Sequence, residues 1–127
     1  MLTSACKRTT AHSDDSSEYI NVLMTKCDVV DYMFNDFPAS INQREPMGVA
    51  QTLSYISDET GPPVTPNCKP AARMIYYGQG ELLLEADLYF EGGCEVFVFI
   101  KDEKALFSRK LTQDGVSFHQ NLVQQFR

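Results

Sequence analysis

A seven-residue run of aromatic and β-branched residues, from Cys94 to Ile100, constrains the fold of this chain more than any other stretch. The run is too short for a buried helix. It is bounded by Glu91-Gly92-Gly93 on one side and by the charged residues 101–104 on the other. These features predict a central β-strand. The rest of the chain should therefore supply its neighbours in a sheet or the layers that cover it.

Three further strands are predicted around this central strand. They cover about Ala71 to Tyr77, Glu81 to Phe90 and Ala105 to Lys110, and the central strand lies between the second and third of them. Turns of only three residues connect strands that run antiparallel. The sequence therefore predicts a four-stranded antiparallel β-meander.

Alternation along these strands assigns their residues to two faces. Three-residue turns would pair Tyr77 with Glu81 and Phe90 with Cys94, and the even-numbered residues of the second and third strands would then face the core. The opposite face is too apolar for a fully solvated surface. We interpret it either as a surface covered by N-terminal helices or as a partly open binding face. The candidate binding residues on it are Tyr77, Leu83, Tyr89, Phe97 and Phe99.

Helical periodicity before and after the strands completes the predicted architecture. Apolar residues recur at spacings of three and four between residues 17 and 37, and Pro38 ends the pattern. A second helix is predicted over 46–56, and a last helix begins at the N-cap Thr112. The predicted fold class is α+β, with two N-terminal helices, a four-stranded antiparallel meander and a C-terminal helix packed on the sheet.

Length and charge limit the domain organisation and the class of partner. Residues 18–127 are predicted to form a single domain, preceded by a flexible tether or leader remnant at 1–17. The net charge is -6, and 11 basic residues are scattered among 17 acidic ones, which disfavours nucleic-acid binding. No apolar run approaches the length of a membrane span. No cysteine spacing or other motif indicates a metal or cofactor.

The N-terminus carries the most specific local motif. Leu2-Thr3-Ser4-Ala5-Cys6, followed by a basic run rich in Ser, Thr and Asp, resembles the end of a bacterial lipoprotein signal peptide. The resemblance implies that Cys6 becomes the lipidated first residue of a protein anchored at the cell envelope. The motif departs from the usual pattern, because Thr3 stands where Leu is expected. The alternative is an ordinary start methionine and a free thiol in a cytoplasmic protein.

Cys68 and Cys94 are predicted at the same end of the sheet, with one strand between them. Two strand spacings amount to about 9.6 Å, whereas a disulfide spans at most roughly 7 Å between Cα atoms. A bond therefore requires the proline-rich segment 58–70 to bend Cys68 over the end of the sheet. We predict that the bond forms in an oxidising compartment and that both thiols are reduced in a cytosolic protein.

No group of residues shows a spacing specific to a catalytic site. Glu85 is predicted opposite Arg73, so a charge pair accounts for it without chemistry, and His119 is predicted on a helix surface. The leading hypothesis is a non-enzymatic cell-envelope module that binds a protein or a small ligand through its sheet face.

Two other functional hypotheses are left open by the sequence. One is a dimerising structural protein whose outer sheet faces pair. The other is a small enzyme or enzyme subunit with a site between the helices and the sheet, formed by some of Glu85, Asp87, Glu95, Cys94 and His119. A deep polar pocket with strongly shifted carboxylates would favour the enzyme.

Overall fold

The computed structural model of the chain describes residues 16–91 and 93–126. These residues form three helices and one seven-stranded sheet in which every strand pair is antiparallel. The α+β class and the antiparallel sheet are therefore confirmed. The prediction of four strands and two helices before them was too simple, because three strands lie in the N-terminal half of the chain.

The bounds of the elements define the labels used below. The helices are α1 (16–26), α2 (Pro46–Ser54) and α3 (Gln113–Gln124). The strands are β1 (Val29–Phe34), β2 (Ser40–Gln43), β3 (Ile56–Thr60), β4 (Ala72–Gly78), β5 (Glu81–Tyr89), β6 (Val96–Lys101) and β7 (Lys104–Leu111). Their order across the sheet is β2-β1-β4-β5-β6-β7-β3, so β2 and β3 form the two edges.

All three helices pack on one face of the sheet, here named the inner face. Leu23 of α1, Leu53 of α2 and Val123 of α3 are buried in one cluster with Tyr76 and Phe99 of the sheet. Their apolar stripes and the aromatic side chains of the sheet leave water together in a single core. The expectation that the two N-terminal helices cover the outer face is therefore wrong.

The first predicted helix is wrong beyond residue 26, because residues 29–34 form strand β1. Val30 and Phe34 stand four residues apart and fit a helix, but with Tyr32 between them they also fit the two-residue period of a strand. Burial follows the strand, since these three side chains are buried and Met33 is 51% exposed. Pairing with β2 and β4 stabilises the strand and overrides the local helical pattern.

The register of β6 differs by one residue from the predicted register. Leu88 pairs with Phe97 and Ala86 with Phe99, so both phenylalanines face the inner core and are 0% exposed. Their predicted place on the outer face is wrong, because β6 begins at Val96 and the connection from β5 is longer than a three-residue turn. A shift of one residue moves every side chain of a strand to the opposite face.

A bulge in β5 changes the direction of two leucine side chains. Tyr76 pairs with Leu84 and Tyr77 with Leu82, which leaves Leu83 without a residue opposite it. Leu83 packs against the main core and Leu82 is 55% exposed. The predicted alternation is therefore reversed at these two positions, as an extra residue in one strand requires.

Helix α3 begins as predicted and buries a histidine that was expected on its surface. The Thr112 hydroxyl accepts a hydrogen bond from the Gly115 N–H at 3.0 Å. His119 is 0% exposed, with Nε2 2.8 Å from the Tyr32 hydroxyl and Nδ1 2.7 Å from the Gly115 carbonyl oxygen. Because a carbonyl oxygen can only accept, Nδ1 carries a proton, and in the neutral imidazole Nε2 accepts from the Tyr32 hydroxyl. Both ring nitrogens are therefore hydrogen-bonded.

Acidification is expected to destabilise the protein through His119. Burial lowers the pKa of His119 from 6.5 to about 4, against a smaller raising effect of the Gly115 hydrogen bond. Below pH 6.5 the imidazole of His119 binds a proton in the unfolded chain, whereas in the folded chain it does so only near pH 4. This contribution to stability is therefore complete above pH 6.5 and is lost as the pH falls to 4, a loss of about 3 kcal/mol.

Urea unfolding at pH 7 and pH 4 measures this loss in the wild type and in the His119→Gln variant. Glutamine keeps an acceptor for Tyr32 but does not titrate, so the variant should lose about 3 kcal/mol less than the wild type. The second histidine, His12, lies outside the described residues, and it is present in both proteins, so the difference between their losses reports on His119. Equal losses in the two proteins would contradict the assignment to His119.

Candidate binding face

The proline-rich segment 61–70, here named the strap, covers one half of the outer face. It leads from β3 at the edge of the sheet to β4 and crosses β6 on the way. Val64 and Cys68 of the strap form a small hydrophobic cluster with Tyr89 and Val96 of the sheet. Tyr89, predicted for the binding face, therefore lies on the outer face as expected but is covered.

Hydrogen bonds hold both ends of the strap. The Gly61 N–H donates to the Ser108 carbonyl, and the Ser108 hydroxyl donates to the Gly61 carbonyl, both at 3.2 Å. At the other end, the Asn35 amide donates to the Pro70 carbonyl at 2.8 Å. The strap is thus fixed to the sheet on either side of its hydrophobic contacts.

Cys68 and Cys94 are brought within disulfide-bonding distance. Their Cα atoms are 6.2 Å apart and their sulfur atoms are bonded, which fits the roughly 7 Å span of a disulfide. The larger separation expected from strand spacing assumed that Cys68 continues β4 in the plane of the sheet. The strap instead bends Cys68 over the end of the sheet, which is the geometry that the predicted bond requires.

The other half of the outer face, here named the open face, is formed by β2, β1, β4 and the start of β5. Val29, Ile75 and Tyr77 are only half-buried there and belong to neither hydrophobic cluster. Met33 and Leu82 are more than half exposed. Since the helices lie on the inner face and the strap crosses β6, these five side chains form an apolar patch on the described part of the chain.

Ion pairs border this apolar patch. Arg73 donates from Nε to Asp87 at 2.8 Å and from Nη1 to Glu85 at 2.9 Å. The hydrogen bond to Asp87 is the largest of the effects that raise the pKa of Arg73. The predicted contact between Arg73 and Glu85 is present, although Asp87 is the residue directly opposite Arg73. One guanidinium thus holds both carboxylates.

A polar chain of side chains lies beside the patch, at the edge strand β2. The Asn42 amide donates to the Asp31 carboxylate, and Arg44 Nε donates to the Asn42 side-chain oxygen at 2.8 Å. Two shallow depressions flank Asn42. The Met33 depression, of about 300 Å³, is lined by Asp31, Met33, Ser40, Ile41 and Asn42. The Arg44 depression, of about 280 Å³, is lined by Val29, Asp31, Asn42, Arg44, Tyr77 and Gly80.

Only part of the predicted binding face is assembled on this surface. Tyr77 lies on the open face, whereas Leu83, Phe97 and Phe99 point into the inner core. The sequence analysis missed the contribution of β1, because residues 29–34 were assigned to a helix. A two-residue period across 29–34, with Asp31 between apolar residues, is the signal that could have identified this half of the face.

The residues of the enzymatic hypothesis are divided between the two faces of the sheet. Glu85 and Asp87 lie on the outer face, His119 lies in the inner core, and Cys94 is bonded to Cys68. Within 16–91 and 93–126, no group of three or more His, Cys, Asp or Glu side chains could hold a metal ion. The sheet therefore separates His119 from Glu85 and Asp87.

Comparisons with protein-family models, curated proteins and solved structures gave no match to this chain. None of the described helices is both long and apolar enough to cross a membrane. Cys6, the predicted lipidation site, lies outside the described residues. The geometry of the open face is therefore the basis for assigning a function.

Proposed function

We propose that this protein is a small non-enzymatic binding module of the cell envelope, and that it binds a partner protein through the open face. The observation that supports this most is the apolar patch of Val29, Met33, Ile75, Tyr77 and Leu82, which lies outside both hydrophobic clusters. Contiguous apolar side chains with a polar border are typical of protein interaction surfaces.

Charge complementarity favours a partner with basic and aliphatic side chains. Asp31, Glu85 and Asp87 border the patch, and Arg73 is the cation that pairs with two of them. The whole chain carries a net charge of -6. A basic partner would be attracted by this field, whereas two copies of the chain would repel each other at long range. A partner protein is therefore favoured over a homodimer.

The cysteine pair supports a location in the cell envelope. A bond between Cys68 and Cys94 persists in an oxidising compartment, and we propose that Cys6 carries a lipid that attaches the module to the membrane. The intact mass and the thiol count of protein from its native host test this location. A lipid-sized increment beginning at Cys6 is expected, whereas an unmodified chain with Met1 and four free thiols would contradict it.

Photo-crosslinking in the native host tests the open face. A benzoylphenylalanine would replace Met33 or Leu82 on the open face, or Met47 on α2 as a control that is 85% exposed. The same partner is expected to crosslink at positions 33 and 82 and not at 47. Adding Asp31→Lys should reduce the yield at position 82 at least tenfold, since it reverses a charge at the rim of the patch.

Two outcomes of this experiment would contradict the proposal. Equal crosslinking at positions 33, 82 and 47 would show that the open face has no selective partner. An adduct of two copies of the chain would show that the face makes a homodimer, as in the third hypothesis from the sequence.

A further inference from the structure

The hydrogen bonds of β1 alternate between its two neighbouring strands. Just beyond the end of β1, the Asn35 N–H donates to the Ala71 carbonyl at 3.0 Å on the β4 side. The Phe34 N–H donates to the Ala39 carbonyl at 3.2 Å on the β2 side. Even-numbered residues of β1 therefore bond to β2, because antiparallel pairs alternate in this way. In the observed register the bonded pairs are Tyr32 with Ile41 and Val30 with Gln43.

Ser40 and Asn42 consequently direct their backbone groups away from β1. Two N–H and two C=O groups point to the free edge of the sheet, where no described strand lies beside β2. An extended segment placed along this edge could form hydrogen bonds with all four groups. Both side chains are exposed on the outer face, so the edge is accessible.

The opposite edge of the sheet is protected against such pairing. Strand β3 pairs with β7 in an irregular register, carries Asp58 and Glu59, and is followed by Pro62 and Pro63. Irregular pairing, charges and prolines are the usual means by which edge strands avoid adding another strand. The segment Ser40–Gln43 carries no proline and no charged residue. The two edges therefore differ in their capacity to accept a strand.

The Met33 depression lies where one side chain of an added strand would reach the outer face. Its walls combine the aliphatic side chain of Met33 with the carboxylate of Asp31. Asp31 accepts from Asn42 but forms no ion pair within the described residues. A lysine or arginine fits this arrangement, because its aliphatic stem can pack on the apolar wall while its charge meets the carboxylate.

The Arg44 depression lies on the other side of Asn42, where the next side chain on the same face would be. Alternate residues of a strand are about 7 Å apart. Val29 and Tyr77 supply an apolar floor, and Arg44 borders it. An aromatic ring fits this site, because it can pack on the floor and offer its face to the guanidinium.

We propose that the partner binds by adding an extended strand to β2, with a basic side chain in the Met33 depression and an aromatic side chain two residues away in the Arg44 depression. This inference rests on the proposed function, because the open face supplies both depressions. Backbone hydrogen bonds to Ser40 and Asn42 hold the strand, and the two depressions select its sequence.

Synthetic peptides test the sequence preference directly. The probe is an acetylated, amidated heptapeptide of threonines with lysine at its third and phenylalanine at its fifth position, together with the peptide in the reverse order. Titration into ¹⁵N-labelled protein should shift the amide signals of Ser40 and Asn42 for one of the two orders. Aspartate in place of the lysine should weaken binding at least tenfold. The proposal is overturned if neither order shifts these signals or if the aspartate peptide binds equally well.

Two substitutions at one position test the strand addition itself. Asn42→Pro removes an outward N–H and leaves the bonds between β1 and β2 intact, as proline on an edge strand allows. Asn42→Thr loses the same side-chain contacts but keeps the N–H. The proline variant is expected to bind the peptide at least tenfold more weakly than the threonine variant. Equal binding would overturn strand addition and leave the proposed function standing, because crosslinking at positions 33 and 82 does not need this N–H.

If Asn42→Pro does not fold, N-methylated peptides test the backbone hydrogen bonds between the added strand and β2. One peptide is methylated at the lysine and phenylalanine amides, and a second at the neighbouring threonine amides. Strand addition requires that one peptide loses binding and the other retains it, because alternate amides face β2. Equal effects of the two peptides would overturn the proposal.

Sedimentation gives a further outcome that would overturn it. If the protein forms a dimer that Asn42→Pro dissociates, a second copy of the chain occupies the edge of β2 in place of a partner.

Discussion

Replacing Phe99 by alanine is expected to lower the free energy of unfolding by about 4 kcal/mol. The ring is fully buried and stacks on Phe107 at a centroid distance of 4.9 Å, with Tyr76 at 6.1 Å. Truncation removes this buried apolar surface and leaves a cavity beneath the helices. Ile75→Ala, on the half-buried open face, is the matched control and should cost less than about 1 kcal/mol. Urea unfolding of the three proteins gives both values.

The two variants together distinguish the two registers of β6. In the register predicted from the sequence, Phe99 lies on the outer face, where its truncation would cost little. Similar losses for Phe99→Ala and Ile75→Ala would therefore contradict the pairing of Ala86 with Phe99. Leu82 is 55% exposed on the open face, so Leu82→Asp is the variant that tests dimerisation through that face.

Reduction of the bond between Cys68 and Cys94 is expected to lower the free energy of unfolding by about 3.5 kcal/mol in the chain-entropy estimate. The two residues are separated by 26 positions, and the bond restricts the unfolded chain over that loop. The change is measured by urea unfolding with and without a dithiol reductant. A variant with alanine at both positions is the control, and its stability should not respond to the reductant.

A wild type whose stability is independent of the reductant would contradict this bond. The third described cysteine does not interfere with the measurement, because Cys27 is unpaired and partly buried. Burial raises the pKa of its thiol to about 11, so it is almost entirely protonated near neutral pH and a weak nucleophile.

Local chemistry was sufficient to predict the C-terminal half of the fold. Short turns and β-branched residues identified the four strands from β4 to β7, and the hydroxyl of Thr112 identified the start of α3. Leu84, Ala86 and Leu88, even-numbered residues of β5, lie in the core as predicted. The register of β6 was not predictable in the same way, because it depends on the length of one connection and a single residue reverses the faces.

The N-terminal half was mispredicted because its pattern fits two periods. Val30 and Phe34 satisfy both a helix and a strand, and the choice is made by pairing with β4, which is distant in the sequence. The same ambiguity concealed half of the binding surface, since Asp31 and Met33 reach the open face only from a strand. The proline content of the strap is evident in the sequence, but its path over the sheet depends on contacts with residues such as Ser108 that no local pattern encodes.

The pairing of β3 with β7 also has a consequence for how the chain is made. Ile56 pairs with Leu111 at the end of β7, so a chain that grows from its N-terminus exposes β3 until Leu111 has left the ribosome. Such non-local pairing is slow and leaves an unpaired edge open to aggregation. Asp58 and Glu59 place negative charge on β3 during that interval, and charged residues beside hydrophobic segments oppose aggregation during synthesis.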